Sequence, residues 1–256
     1  MGIGPTLLVR VLRMGIGVAP VEGVVVMKNG SGVEAERLVA WAGSPPAGGI
    51  FRVHTSALKR GMDLIMAFAV LAFLTPLLFA IYLLLKIFDP GPALFSQLRV
   101  GRDGRTFTVY KFRTMRVDAQ ERLEKMLASD PKAAAEWAQF QKLRYDPRVT
   151  VLGRFLRKSS LDELPQLLNI VRGEMSVIGP RPVTSGEIHR YGAEYPYYTA
   201  VRPGVLGLWQ VSGRNKLTYE QRVAFDVQYV KTWSIWQDFK ILLMAVPVVL
   251  LGLGAY

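Results

Sequence analysis

Apolar residues run unbroken from Leu64 to Leu85, about 22 positions without a charge. At 1.5 Å per residue that is long enough to cross a hydrocarbon core. Lys59, Arg60 and Asp63 precede the run, and Lys86 and Asp89 follow it. Thr75-Pro76 falls in its middle, where proline deletes a backbone hydrogen bond and tends to kink a helix. Cations crowd both flanks, Arg52 to Arg60 and Arg99 to Arg113, so neither side wins the charge asymmetry that orients a spanning helix. The residues permit a spanning helix, but a helix that enters, bends at Thr75-Pro76 and returns fits the two basic flanks slightly better. Ile241 to Tyr256 is apolar but short and carries Pro247. It suits a segment lying in the membrane interface or an ordinary buried helix.

Between these runs the pattern changes to that of a compact mixed domain. Phe95 to Arg102 and Thr106 to Arg113 flank Asp103-Gly104, a strong hairpin signal. Along the second arm Phe107 and Val109 alternate with Thr108 and Tyr110, which predicts a half-buried strand with Lys111 and Arg113 on one face. Asp118 to about Lys142 is alanine-rich and charged, and predicts a solvent-facing helical pair broken at Asp130-Pro131. Leu152 to Arg157, Leu161 to Val171 and Tyr219 to Lys231 predict further helices, the last placing Phe225 and Tyr229 one turn apart. Met1 to about Thr55 has no clean period. With Ser44-Pro45-Pro46-Ala47-Gly48-Gly49 as a linker it reads as a flexible tail over 1–56. The features of a cleaved signal peptide are not evident there.

Composition narrows the chemistry. The net charge of +12 favours anionic partners, whether nucleic acid, an acidic membrane face or phosphorylated metabolites. Nucleic acid is not expected, because a long uncharged run and no recognisable binding module argue against it. With no cysteine and two histidines, thiolate chemistry, Cys-based zinc sites and a Ser-His-Asp triad are excluded or improbable.

The densest chemical signal is Ser160-Leu161-Asp162-Glu163, followed by Gly179-Pro180-Arg181-Pro182. Ser160 with Glu163 fits a helix capping box, and Pro165 leaves Asp162 as an alternative cap. Either register sets Asp162 near backbone amides, which would hold it as an anion at neutral pH. Capping does not explain Arg157, Lys158 and Arg181 close by in sequence. Phosphoryl transfer would use them, since it needs its negative oxygens neutralised by arginine forks or Mg²⁺. Mg²⁺ takes one or two carboxylates, so Asp162 and Glu163 suffice as ligands. An aspartate can also form an aspartyl-phosphate. Lys111, between two aromatics, reads as a site cation.

From about Lys59 onward these residues fall into an ordered series. It runs Lys59-Arg60-x-x-Asp63, Thr75-Pro76, Gly91-Pro92-x-x-Phe95-x-Gln97-x-Arg99-x-Gly101, Tyr110-Lys111-Phe112-Arg113-Thr114-Met115, Ser160 to Leu167, Arg172 to Ser176, Gly179 to Pro182, Arg202-Pro203-Gly204 and Gly213-Arg214-Asn215. In this the chain resembles the bacterial sugar transferases that load a phosphosugar onto undecaprenyl phosphate, the monotopic phosphoglycosyl transferases. The resemblance implies a UDP-hexose donor, an undecaprenyl phosphate acceptor and Mg²⁺. Asp162 would be the nucleophile and Glu163 its partner in binding metal or activating the acceptor. Substrate-binding positions would fall on Lys111, Arg157, Arg181, Asp226 and Asp238. Thr75 and Pro76 would mark membrane re-entry, with the active site on the cytoplasmic face of the bacterial inner membrane. Gly207 to Asn215 and the Trp137 helix look most like galactose-1-phosphate transferases of exopolysaccharide synthesis, with glucose close behind.

The expected fold is α+β, a mainly helical membrane-associated domain with a small β-hairpin and interfacial amphipathic helices. A re-entrant helix over 57–90 would precede a cytoplasmic catalytic domain over 91–256, and a homodimer is compatible with it. A non-catalytic membrane scaffold is the alternative class, although a scaffold has no physical need of the acid pair.

Overall fold

The computed structural model describes residues 56–140, 143, 145–214 and 217–250. The tail and linker read above lie outside these residues, as do Asn215 and the last six positions. Helix α1 (Ala57–Phe88) is capped by Ser56, whose hydroxyl accepts from the Lys59 amide. It stays helical through Pro76, and the Thr75 hydroxyl donates to the Leu71 carbonyl at 2.6 Å. That back-bond lands one residue before Ala72, whose carbonyl loses its amide partner to Pro76, a combination that favours bending.

The helix touches the globular body twice. Near its start Lys59, Asp63 and Ala67 are buried at four-residue spacing, and Ala67 belongs to the main core with Val109, Ile170, Met175 and Tyr229. Near its end Ile81 and Leu85 pack with Ala93, Phe112 and Leu156. The stretch between is apolar and open, and only 11% of its most hydrophobic window is buried. A soluble core helix would bury far more.

Strands β1 (Leu94–Val100) and β2 (Thr106–Phe112) form the expected hairpin, with Phe95 opposite Lys111 and Gln97 opposite Val109. Asp103 turns it at φ 59°, in the left-handed region that aspartate tolerates. The predicted helical pair is present as α2 (Ala119–Ser129) and α3 (Pro131–Phe140), separated at Asp130. It is less solvent-facing than its composition suggests, because Leu123 and Ala133 are buried.

Helix α4 (Val151–Lys158) is capped by Thr150 and leads through a 3-10 segment, Leu161–Gln166, into α5 (Leu167–Arg172). A second, parallel sheet joins β3 (Ser176–Ile178) to β4 (Gly204–Leu206). Helices α6 (Tyr195–Thr199), α7 (Leu208–Ser212), α8 (Tyr219–Thr232) and α9 (Ile235–Leu250) complete the body. On α9, Ile241 and Ala245 are buried, as a core helix requires, while Trp236, Phe239, Leu243, Met244 and Val246 leave an exposed apolar face. Helix α4 likewise turns Val151 and Phe155 outward beside Arg154 and Lys158.

A buried polar network ties these parts together. Lys59 Nζ lies 2.8 Å from Asp238 and 3.3 Å from Asp63. Asp63 accepts from the Ser176 hydroxyl and the Val177 amide, and Asp238 accepts from Tyr229 and Trp233. The start of α1 is thereby fastened to β3, the strand that delivers Gly179-Pro180-Arg181.

Beyond β3 the chain passes very close to β4. A methyl added to Gly204 would lie 2.1 Å from the Gly179 nitrogen, a backbone atom that cannot step aside. Gly204→Ala should therefore lower stability by about 1–3 kcal/mol, the usual cost of overpacking. Its thermal midpoint in detergent would fall by several degrees, and an unchanged midpoint would contradict the close approach.

Candidate active site

The site is assembled from four short pieces around one cavity of about 850 Å³. Strand β2 supplies Lys111, α4 supplies Arg157, the 3-10 segment supplies Asp162 and Glu163, and the loop after β3 supplies Arg181; all five line the cavity. Ser160 stands at φ 56°, a conformation uncommon for a residue with a Cβ and one that clusters at functional sites. It turns the chain between α4 and the acid pair.

Ser160 is not a capping-box residue. Its side chain caps nothing, and Glu163 reaches sideways instead of back. Glu163 Oε1 accepts from Lys111 Nζ at 2.6 Å and from Arg181 Nη2 at 2.8 Å, while Oε2 meets Arg181 Nη1 at 3.4 Å. Burial alone would raise its proton affinity, but Arg181 and Lys111 hold it well below the usual carboxylate range. Charge-assisted bonds from two cations therefore keep Glu163 ionised.

Asp162 behaves oppositely, which overturns the expectation of an amide-stabilised anion. Only 9% exposed, it has neither a hydrogen bond nor an ion pair among the described residues. Burial, reinforced by the negative charge of Glu163, pushes its carboxyl up to about 6 against the pull of Lys111, Arg157 and Arg181. At neutral pH it is a largely ionised, poorly solvated and unengaged oxygen anion beside cations, the condition of an activated nucleophile. Lys111 is lowered from its ordinary value by burial and by Arg181.

Arg157 is aimed by a contact that its own sequence neighbours do not reveal. Its Nε donates to the Thr114 hydroxyl at 2.8 Å, and Thr114 is itself buried. The Thr114 carbonyl accepts from the Thr150 amide, and a methyl on Gly153 would meet that carbonyl oxygen at 2.0 Å. Helix α4 is therefore pressed against the end of β2 at a glycine.

Asp226 and Asp238, expected among the substrate contacts, do not line the cavity. Asp238 is held in the network at the start of α1, where Lys59 satisfies its charge. Asp226 is buried against the Tyr191 hydroxyl at 2.7 Å, and burial pushes it up to about 7. In their place the cavity includes Gln97, Trp209, Gln210, Arg214 and Arg222, with Arg222 stacked 4.8 Å over the Trp209 ring. Several of these stood in the quoted sequence series, but their neighbourhood with Asp162 depends on how α7 and α8 pack.

The donor set fits a magnesium ion. Asp162 is unengaged, and Oε2 of Glu163 is held only by one long contact. That matches the one or two carboxylates that Mg²⁺ takes while keeping water and phosphate oxygens as its other ligands. No group of three or more acidic or histidine ligands exists among the described residues, so an all-protein cage is not what the site offers.

The family model described as bacterial sugar transferase matches residues 54–252. Over 200 residues the chain is 50% identical to an undecaprenyl-phosphate galactose phosphotransferase of Salmonella typhimurium, covering 78% of this chain and 42% of that protein. It is 46% identical over 212 residues to the exopolysaccharide production protein ExoY of Rhizobium meliloti, covering 83% of this chain and 94% of the relative. A UDP-glucose:undecaprenyl-phosphate glucose-1-phosphate transferase of Caulobacter vibrioides is 41% identical, with 82% and 76% covered. Against the Salmonella protein the chain spans about two fifths of the relative's length.

Proposed function

Because this chain belongs to the bacterial sugar transferase family, we propose that it moves a hexose 1-phosphate from a UDP-hexose to undecaprenyl phosphate, releasing UMP. The observation that carries this reading is the unengaged, buried Asp162 carboxylate lining one cavity with Lys111, Arg157 and Arg181. In the first step an Asp162 oxygen bonds to the β-phosphorus of the donor while the bond to the UMP oxygen breaks. In the second, a phosphate oxygen of the acceptor attacks that same phosphorus and frees the carboxylate. Lys111, Arg157 and Arg181 neutralise the phosphate oxygens in both steps. Glu163 keeps Lys111 and Arg181 in place; its firmly ionised, twice-bonded carboxylate suits that duty better than proton transfer. Magnesium held by Asp162 and Glu163 would supply further charge neutralisation at the donor diphosphate.

Galactose is the favoured sugar, since relatives named for galactose or galactosyl transfer are 48–51% identical and those named for glucose 38–41%. Purified full chain with undecaprenyl phosphate, Mg²⁺ and either UDP-galactose or UDP-glucose should release UMP, faster from the former. No UMP from either donor would overturn the reading.

The reading also places α1 in the cytoplasmic leaflet of the inner membrane, entering and leaving on one side. Supporting it, residues on both sides of Pro76 pack on the same globular body, and the exposed apolar faces of α4 and α9 offer further membrane contact. The chain has no cysteine, so single cysteines at Arg60 and Lys86 make a clean test. Neither should react with an impermeant thiol reagent applied to intact cells. Labelling of one flank alone would refute re-entry.

An acid limit on the rate follows from Asp162. Protonation removes the nucleophile, so kcat/KM should fall tenfold per pH unit below about 6 and flatten above it. Since Arg157 favours the ionised form, Arg157→Gln should move this limb to higher pH. A limb that shifts lower in that variant would contradict the assignment.

A further inference from the structure

The cavity has an apolar wall that neither the carboxylate nor the cations explain. Leu94 and Phe95 of β1, with Pro92 and Val117, line it and remain largely open, Phe95 at 50% and Val117 at 64% exposure. Phe95 is the direct cross-strand partner of Lys111. Apolar surface and a phosphate-sized cation thus stand side by side on one hairpin face, about 5 Å apart at the backbone.

The wall also adjoins the end of the membrane helix. A methyl added to Gly91 would meet Val117 Cγ2 at 2.9 Å, so Val117 rests on the loop two residues past the helix cap Asp89. Arg113 secures that junction by bonding the Asp89 carboxylate at 3.2 Å and its carbonyl. Ile87 and Phe88, the last residues of α1, are exposed. Exposed apolar residues therefore stand on both sides of this junction, at the helix end and at the cavity wall.

We propose that Leu94, Phe95 and Val117 form the subsite for the first isoprene units of the acceptor, whose phosphate then reaches Lys111 and Arg157. This rests on the function proposed above. A nucleotide sugar offers little apolar surface to such a wall, whereas a polyprenyl phosphate joins an anionic head to an apolar chain. The short loop between the helix end and the wall gives that chain a near path from membrane to cavity, and burying it against Phe95 offsets the exposure of the wall.

Steady-state kinetics of Phe95→Ser and Val117→Ser in detergent test the subsite, with Leu98→Ser as control. Leu98 is 65% exposed on the same strand but does not line the cavity. The first two variants should raise KM for undecaprenyl phosphate about tenfold, the worth of one lost apolar contact of this size. KM for the UDP-hexose should stay within about twofold, since the lost contact is to the acceptor. Phe95→Leu, which keeps the wall apolar, should restore most of the acceptor affinity. If Phe95→Ser lowers the thermal midpoint, Val117→Ser carries the test alone. An unchanged acceptor KM, an equal rise in donor KM, or the same effect in Leu98→Ser would overturn the subsite. Wild-type protein that transfers nothing would instead sink the parent reading, and the subsite with it.

Discussion

Asp162→Asn abolishes UMP release, with a fall of at least about 10⁴-fold in turnover, the scale seen when a covalent nucleophile is removed. The substitution keeps the shape of the side chain and replaces a carboxylate oxygen with a non-nucleophilic amide. No protein group is left without its partner, because none bonds the Asp162 side chain among the described residues. Folding should therefore survive, and the thermal midpoint should hold or rise, since a poorly solvated charge is gone. Incubated with UDP-hexose and no acceptor, the wild-type protein should gain the mass of one phosphohexose, and the variant should gain nothing. Full UMP release from Asp162→Asn would rule out the covalent path.

Arg181→Gln produces the second large loss, and through a different route. Glu163 then keeps one cation instead of two, in a site where its side chain is only 16% exposed. Loss of the clamp should lower kcat/KM by about 10²–10³-fold, as for other donors that stabilise developing charge. Stability should fall by about 1–3 kcal/mol, less than for a fully buried pair because water reaches the Arg181 side chain. The double variant Arg181→Gln with Glu163→Gln should lose less stability than the sum of the two single variants, because either change alone already removes their shared contact, and it should stay inactive. Such non-additivity is the mark of two residues acting as one unit. Strictly additive losses in both readouts would show that the Glu163–Arg181 contact does not matter in solution.

Much of this arrangement could be read from residue order alone. The charge-free run from Leu64, the Asp103-Gly104 turn and the break at Asp130-Pro131 are local signals, and local signals survive packing. The role of Thr114 was less accessible. Its hydroxyl matters only because α4 lies against the end of β2, and the closest clue in sequence was Gly153, whose missing Cβ permits that approach. The capping-box pattern at Ser160 misled because spacing records which residues could bond. Glu163 had stronger offers from Lys111 and Arg181, charges 52 and 18 residues away. Asp226 and Asp238 show the same limit. An acid quoted from a resemblance carries no address, and both are consumed inside the body by Tyr191 and by Lys59.

By itself, then, the amino-acid order determined the element types, the apolar segment and the identities of the groups available for phosphate chemistry, because periodicity, turns and proline act over a few residues. Tertiary structure alone decided which acid is free and which is tied. Proton affinity in a cavity depends on how much water burial removes and on which charges distant segments bring close. Four pieces of chain meeting at one site leave Asp162 unpartnered and Glu163 neutralised, although the two are neighbours in sequence.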